Sequence, residues 1–497
     1  MREYIPQISK LLNGVLDGLP FLLPEFILAI TFLLSIFSGT LLKESAKVTW
    51  WLTLTGIVAA GFAAVLQSFS PAASPVFFGM ILPDANGALL KALIGFVCLL
   101  FCLFVYDHQP LRNHPKKMDD LLSVLLAVHI GLNLMATAVN WLMVYITIEM
   151  VSIGSYVMVA YLSRDNKQSE AAVKYVLFGT VCSAIMLYGL SFFYGYTGSL
   201  SFVDADHLTG LLAMPAPVFM LATLLVLTGI GFKLSFVPFH FWSPDVYQGA
   251  PTPVTAFLST APKIGAIVLL GRFVLAWSQT LDVAMPRPLF YLLAVIAMAS
   301  MLVGNLVAIR QNNMKRMMAY SSIGHTGFLV MIILADVERS FPILFFFLAS
   351  YVIMNMGVFM LADYLEEKLG LTEITQYRGL GKSHPAVMAA LTILMVSLVG
   401  LPPTAGFVAK LLTFSAVLTA YQAEANLMWL LLAVTGAITT VVALFFYFKI
   451  PLQAFLRSAA ERSEQKARLN TLLITAFFLC LLSILFGIFP AMVLDLL

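Results

Sequence analysis

Residues 386–420 read AVMAALTILMVSLVGLPPTAGFVAKLLTFSAVLTA, an apolar run whose one ionisable side chain is Lys410. A helix rises 1.5 Å per residue, so as one straight rod the run would measure about 52 Å, against a hydrocarbon core of about 30 Å. It is too long for a regular span, and the obvious break is Gly400 to Pro403, where Pro402 and Pro403 lack backbone donors and crowd the turn before them. A discontinuous membrane helix is therefore predicted, with Lys410 just beyond the interruption. Earlier in the chain, LTGIGFKLSFVPFHFW (227–242) has the same ingredients, with Gly229 and Gly231 ahead of Lys233 and Pro238 behind it. Interrupted backbone at membrane depth is tolerated only where protein or water satisfies the freed groups. Broken helices in corresponding positions of two inverted halves point to a transport site near the midplane.

Outward from this stretch, thirteen further segments can cross, near residues 19–42, 48–66, 90–106, 121–138, 140–162, 171–194, 217–241, 252–275, 289–309, 314–334, 341–364, 427–448 and 469–494. The expected fold is an all-α polytopic membrane protein of fourteen transmembrane helices. Composition agrees. The 497 residues are 61% hydrophobic and 11% charged, with a mean hydropathy of +0.94, where a soluble domain carries about 25% charged residues. The net charge of +3 is small, and the basic residues sit in short loops, not in a stripe interleaved with aromatics, which excludes nucleic acid as a partner. Cys98, Cys102, Cys182 and Cys480 lie in apolar segments with no His or acidic residue beside Cys98 and Cys102, so neither a disulfide nor a metal site is expected. The opening MREYIPQISKLLNG lacks the layout of a cleaved signal, and the first apolar segment is expected to stay as a span. Loops after odd-numbered spans hold eighteen Lys and Arg, among them Lys43, Arg112, Lys116, Lys117, Arg164, Arg310, Arg462, Lys466 and Arg468. The opposite side has only Arg2, Lys10, Arg287 and Arg339. Short cytoplasmic loops are enriched in such residues, so both termini are expected on the non-cytoplasmic side.

The remaining basic residues, Lys91, Lys174, Lys233, Lys263, Arg272 and Lys410, lie within spans. A charge at the bilayer centre costs roughly 2.5 to 3.5 kcal/mol on insertion scales, so each is a functional candidate. The competing reading is a long side chain reaching the headgroups. Position favours that reading for Lys91 and Arg272, near the ends of their spans, and leaves Lys174 open. Lys233, Lys263 and Lys410 lie too deep for it. Glu149, mid-span in WLMVYITIEMVSIGSYVMVAY, would be driven neutral alone, whereas a lysine within about 6 Å would hold it charged. Lys233 is the expected partner. Buried lysines can exchange protons in the physiological range, and His240, His325 and His129 titrate near neutrality, so these residues suit a proton relay. A histidine alone is more often a hydrogen-bonded core group, but His240 and His325 stand in glycine-broken contexts.

Four stretches together resemble a known family: Gly231 to Ala266, NMKRMMAYSSIGHTGF from Asn313 to Phe328, YRGLGKSHP from Tyr377 to Pro385, and SLVGLPPTAGFVAK from Ser397 to Lys410. They resemble the antiporter-like membrane subunits of NADH:quinone oxidoreductase, respiratory complex I, and most closely the N-type members. The resemblance covers about residues 120 to 450 and implies two inverted five-helix repeats, 121–275 (helices 4 to 8) and 289–450 (helices 9 to 13). These are flanked by 1–120 with helices 1 to 3 and by 451–497 with a loop and helix 14. Helices 7 and 12 would be broken, at Gly231 and Pro238 and at Gly400, Pro402 and Pro403. Carried over by position, the proton-translocating residues are Glu149, Lys233, Lys263 and Lys410, and Lys174 also matches a family lysine; with His240 and His325, read from their own chemistry, it is a secondary relay group. A lysine at 410 fits the N and M types better than the L type.

The resemblance further implies a proton-translocating membrane-arm subunit in a bacterial inner membrane. Its partners would be an M-like antiporter subunit and small K-, J- and A-like subunits. NADH, FMN, iron–sulfur clusters and quinone would be held by other subunits, since this chain has no GxGxxG turn after a strand and no cysteine set for a cluster. The alternative is a D-like subunit of a Mrp-type cation/proton antiporter. A purely structural scaffold leaves the mid-span lysines unexplained.

Overall fold

The computed structural model describes residues 5–42, 45–114, 118–162, 166–280, 287–335, 340–458, 470–495 and 497, and the side chains of these apart from 5–11, 279 and 280. Arg2, Lys43, Lys116, Lys117, Arg164, Arg339, Arg462, Lys466 and Arg468 of the orientation argument lie outside that description, as does the side chain of Lys10. Among the described residues there is no strand, only isolated bridges between loops such as Asn140 with Ser201.

The main helices are α1 (Leu23–Leu41), α2 (Ser45–Ser68), α3 (Ala85–Asp107), α4 (Asp119–Thr137), α5 (Trp141–Ala160), α6 (Asn166–Thr197), α7 (Ala216–Leu234) and α8 (Trp242–Gly249). There follow α9 (Thr252–Thr280), α10 (Arg287–Ala308), α11 (Met314–Ala335), α12 (Phe341–Leu369), α13 (Pro385–Val399), α14 (Ala405–Glu424), α15 (Leu427–Tyr447) and α16 (Thr471–Ile488). Thirteen described helices are long and apolar enough to cross a membrane. The fourteenth expected crossing, 386–420, is the one split into α13 and α14. Likewise the expected helix over 217–241 stops at Leu234 and resumes as the short α8.

Both breaks have the same local cause. At the end of α7, Ser235 adopts a left-handed conformation (φ 56°) and the Phe236 N–H turns back to the Gly231 carbonyl. At the end of α13, Gly400 does so at φ 89° and the Leu401 N–H reaches the Val396 carbonyl. This is the αL helix ending, and prolines downstream keep the helix from restarting at once. Each break carries a cis X-Pro bond, at Val237–Pro238 and Pro402–Pro403. In both places the last carbonyls of a helix are freed inside the protein.

Packing decides where those carbonyls point. α9, α11 and α12 bury nearly their whole circumference, whereas α1, α6 and α15 keep broad exposed apolar faces of the kind lipid covers. α9 and α11 pack together between the two breaks, with α12 against both. The interior of the molecule is therefore the groove where α7, α9, α11, α12 and α14 meet.

Candidate functional site

Lys233 sits on the last turn of α7 and is 2% exposed. Its ammonium has no hydrogen-bond acceptor and stands 5.9 Å from the centroid of the Tyr175 ring and 5.7 Å from that of Phe232. Ring faces attract a cation but do not neutralise it. One residue on, the Leu234 carbonyl freed by the break lies 2.9 Å from the Thr326 hydroxyl of α11. That hydroxyl accepts from the Lys263 ammonium at 3.0 Å, and Lys263 also donates to the Ser322 carbonyl at 3.0 Å. Lys263 therefore lies one hydroxyl away from the end of α7.

From Lys263 the polar groups continue along α11. The Ser322 hydroxyl is 2.7 Å from the Tyr351 hydroxyl of α12. His325, one turn further, has its ring 5.4 Å from that of Tyr351, and its Nε2 is 3.5 Å from the Tyr447 hydroxyl, which Ser321 also engages. The His325 imidazole lies in the fields of both Lys263 and Lys410. Lys410 itself is held by the second break, donating to the Val399 carbonyl at 2.6 Å and the Leu398 carbonyl at 3.3 Å, with its Nζ 5.1 Å from the centroid of the Phe328 ring. Gly400 leaves room for this contact, since a Cβ there would stand 2.8 Å from the Lys410 Cδ. Three buried lysines are thus spaced along one interior track, and among the described residues none is within 4.0 Å of a carboxylate. Without a fixed counter-ion, the proton on each responds to charge elsewhere on the track.

The structure corrects several expectations. The coupling expected between Glu149 and Lys233 acts through space: Glu149 is half-buried on α5 and has no ion pair within 4.0 Å, while its field reaches that lysine and Tyr156. α5 and α7 both lie against α6, where the Tyr156 and Tyr175 rings meet at 4.8 Å. Lys91 and Arg272 do not reach for headgroups. Lys91 is fully buried against Glu25 at 2.8 Å, with Gln67 at 3.5 Å. Arg272 bonds Asp84 at 2.5 Å and the Ala136 carbonyl at 2.7 Å. Lys174 is 38% exposed and joins Glu170 and Asp245, each at 2.7 Å, so it stands apart from the buried track. His240 is buried in the first break with its Nδ1 unpartnered, and His129 is buried beside Gly95; neither touches the three lysines.

Sequence reasoning missed Thr326, Ser322, Tyr351 and Tyr447. Ser321, Ser322, His325 and Thr326 recur at helical spacing, a polar stripe legible in the sequence; the two tyrosines come from distant helices and gave no signal. It also missed Asp245, which joins Lys174 to Arg316 (2.5 Å) beside a cavity of about 210 Å³ lined by Glu170, Lys174, Asp245 and Gln248. Burial pushes the Asp245 carboxyl up, but hydrogen bonds from Lys174 and Arg316 outweigh it and hold it below the usual carboxylate value. A third polar group, His108 with Asp363 and Glu367, joins the ends of α3 and α12.

Comparison with known proteins agrees with this geometry. Residues 138–442 match the NADH:quinone oxidoreductase/Mrp antiporter transmembrane family. The NADH-quinone oxidoreductase subunit N 2 of Chloroherpeton thalassium is 36% identical over 97% of this chain and 94% of its own length. A chain in the structure of respiratory complex I from Thermus thermophilus with bound aureothin superposes with a TM-score of 0.78 at 28% identity, over 95% of this chain and 99% of that one. The Mrp complex from Dietzia sp. DQ12-45-1b holds a chain with a TM-score of 0.80 at 19% identity over 96% of each, a likeness of fold alone. With both broken helices and the intervening lysines inside the matched region, the chain belongs to the NADH:quinone oxidoreductase/Mrp antiporter transmembrane family, alongside its subunit N relatives.

Proposed function

We propose that this chain is the N-type membrane-arm subunit of a proton-translocating NADH:quinone oxidoreductase, and that protons move along its interior through Lys233, Lys263, His325 and Lys410. The observation that carries this reading is the continuous spacing of three counter-ion-free lysines between two helix breaks, bridged by Thr326, Ser322 and Tyr351. A proton arriving at one lysine changes the field at the next, so occupancy passes along the track by electrostatics and hydroxyl rotation. Glu149, midway along α5, biases Lys233 through space. Lys174 and His240 act as secondary groups on the approach, and Lys410 hands the proton toward the non-cytoplasmic side.

In this reading the two broken helices belong to inverted repeats, 121–275 and 289–450, with 1–120 and 451–497 packed outside them. Electron transfer takes place in other subunits, which hold NADH, FMN, the iron–sulfur clusters and quinone, and reaches this chain as a change of charge or shape. Its neighbours are an M-like subunit and small K-, J- and A-like subunits in a bacterial inner membrane, with both termini on the non-cytoplasmic side. The Mrp-type alternative shares the fold, but the 36% identity belongs to the subunit N relative and the Mrp likeness stands at 19%.

Replacing Lys263 or Lys410 by Ala tests the track. The expected result is an assembled complex whose NADH:quinone turnover and proton pumping both fall by about tenfold or more, the loss of about 1.4 kcal/mol or more of barrier lowering. Normal coupled activity per assembled complex would remove the lysine from the mechanism. Copurification of FMN and iron–sulfur subunits separates the oxidoreductase from the antiporter reading.

A further inference from the structure

His108 follows the last residue of α3, and Asp363 and Glu367 lie one turn apart near the end of α12. The His108 Nδ1 stands 3.0 Å from Asp363 Oδ1, 3.2 Å from Asp363 Oδ2 and 3.1 Å from Glu367 Oε1. A ring nitrogen carries at most one proton, so at most one of these oxygens can be served well. Asp363 Oδ1 is fully buried and receives no hydrogen bond, since the His108 N–H turns to Oδ2, which leaves a carboxylate oxygen facing the ring nitrogen at 3.0 Å with its bonding capacity unused. These three residues are the group of potential ligands found among the described residues, each offering one atom within 4.8 Å of the others.

We infer that His108, Asp363 and Glu367 form a binding site for a divalent transition-metal cation of the zinc class, separate from the proton track. Tetrahedral bonds of about 2.0 to 2.2 Å set ligand atoms about 3.3 to 3.6 Å apart, so the 3.0 and 3.1 Å contacts open by a few tenths of an ångström to take the ion. An imidazole nitrogen with two carboxylate oxygens suits zinc better than the all-oxygen shells of calcium or magnesium. Three protein ligands leave the fourth tetrahedral position to water. The outer contacts are those a metal site needs: the Gln109 N–H holds Glu367 Oε1 at 2.9 Å, and Lys315 lies nearby but is engaged by Glu366, Thr252 and the Ala250 carbonyl. A cation here pins the end of α3 to the end of α12. The preceding residue, Asp107, accepts from the Leu472 N–H at 2.5 Å, so the same joint also fixes the start of α16.

Two measurements on the intact purified complex test the site. Zinc content after exposure to Zn²⁺ and gel filtration should be one ion per complex higher in the wild type than in His108→Gln or Glu367→Gln. Equal zinc in all three overturns the inference, leaving a histidine held by hydrogen bonds alone. Thermal melting of the wild type, which needs no variant to assemble, should rise with micromolar Zn²⁺ and not with Mg²⁺. No shift with Zn²⁺, or the same shift with both ions, also overturns it.

Discussion

Thr326 is the residue on which the two halves of the track depend. Its hydroxyl accepts from the Lys263 ammonium and has its one proton to share between the freed Leu234 carbonyl and the Ser322 carbonyl. Valine has nearly the same shape and none of this bonding. A hydrogen bond to a charged group contributes about 1.5 to 3 kcal/mol. Thr326→Val should therefore slow coupled turnover by about tenfold or more while the complex still assembles, measured as NADH:quinone activity per complex in sealed vesicles. Unchanged turnover would mean that protons reach Lys263 by another way. Glu149 works differently, because it acts on Lys233 through space and not through a bond. Its removal should weaken the bias on that lysine without disturbing any contact the lysine makes.

At the scale of elements, the breaks position the lysines and the ion clusters hold the helix ends. Gly400 has φ 89°, and any Cβ there would meet the Lys410 side chain at 2.8 Å. Gly370 also has a positive φ, of 67°, but open space around it. Strain of this kind costs about 1 to 3 kcal/mol. Both Gly400→Ala and Gly370→Ala should lower the melting temperature, and only Gly400→Ala should also reduce pumping; equal pumping in the two would detach the break from Lys410. Asp245 gives a pH signature. Lys174 and Arg316 hold its folded-state value below the ordinary carboxylate value, so the stabilisation is present above about pH 3.9 and is lost as pH falls through the depressed value. The melting-temperature advantage of wild type over Asp245→Asn should be full at pH 6 and shrink on acidification below about pH 4. A constant difference over that range would show that the carboxylate charge is not what matters.

For the whole molecule, the buried Glu25–Lys91 pair fastens α1 to α3, away from Lys233, Lys263 and Lys410. Breaking a buried ion pair by removing one partner costs about 3 to 5 kcal/mol, because it strands the other charge, whereas removing both charges costs far less. Lys91→Ala should therefore deplete assembled complex from membranes, and the double change Glu25→Gln with Lys91→Gln should restore it. Blue-native gels of the three strains decide this, and good assembly of Lys91→Ala would show that the pair does not fasten the N-terminal helices. The pair also explains why position along a span was a poor guide: Lys91 and Arg272 lie near span ends, yet neighbours from other helices supply Glu25 and Asp84, and neither side chain turns outward.

The sequence by itself determined the membrane class, the order of the spans, both helix breaks and the place of Lys233, Lys263 and Lys410 within or beside broken or buried helices. All of these follow from local chemistry: runs of apolar residues set spans, and glycine with proline ends a helix wherever it stands. Only the tertiary structure decided which groups meet. That Thr326 joins Lys263 to the end of α7 and that Tyr351 and Tyr447 flank His325 depends on which faces of α7, α9, α11, α12 and α15 turn toward one another. In lipid those faces are chosen by close packing and by the need to satisfy buried polar groups across helices far apart in the chain, and no single segment carries that information.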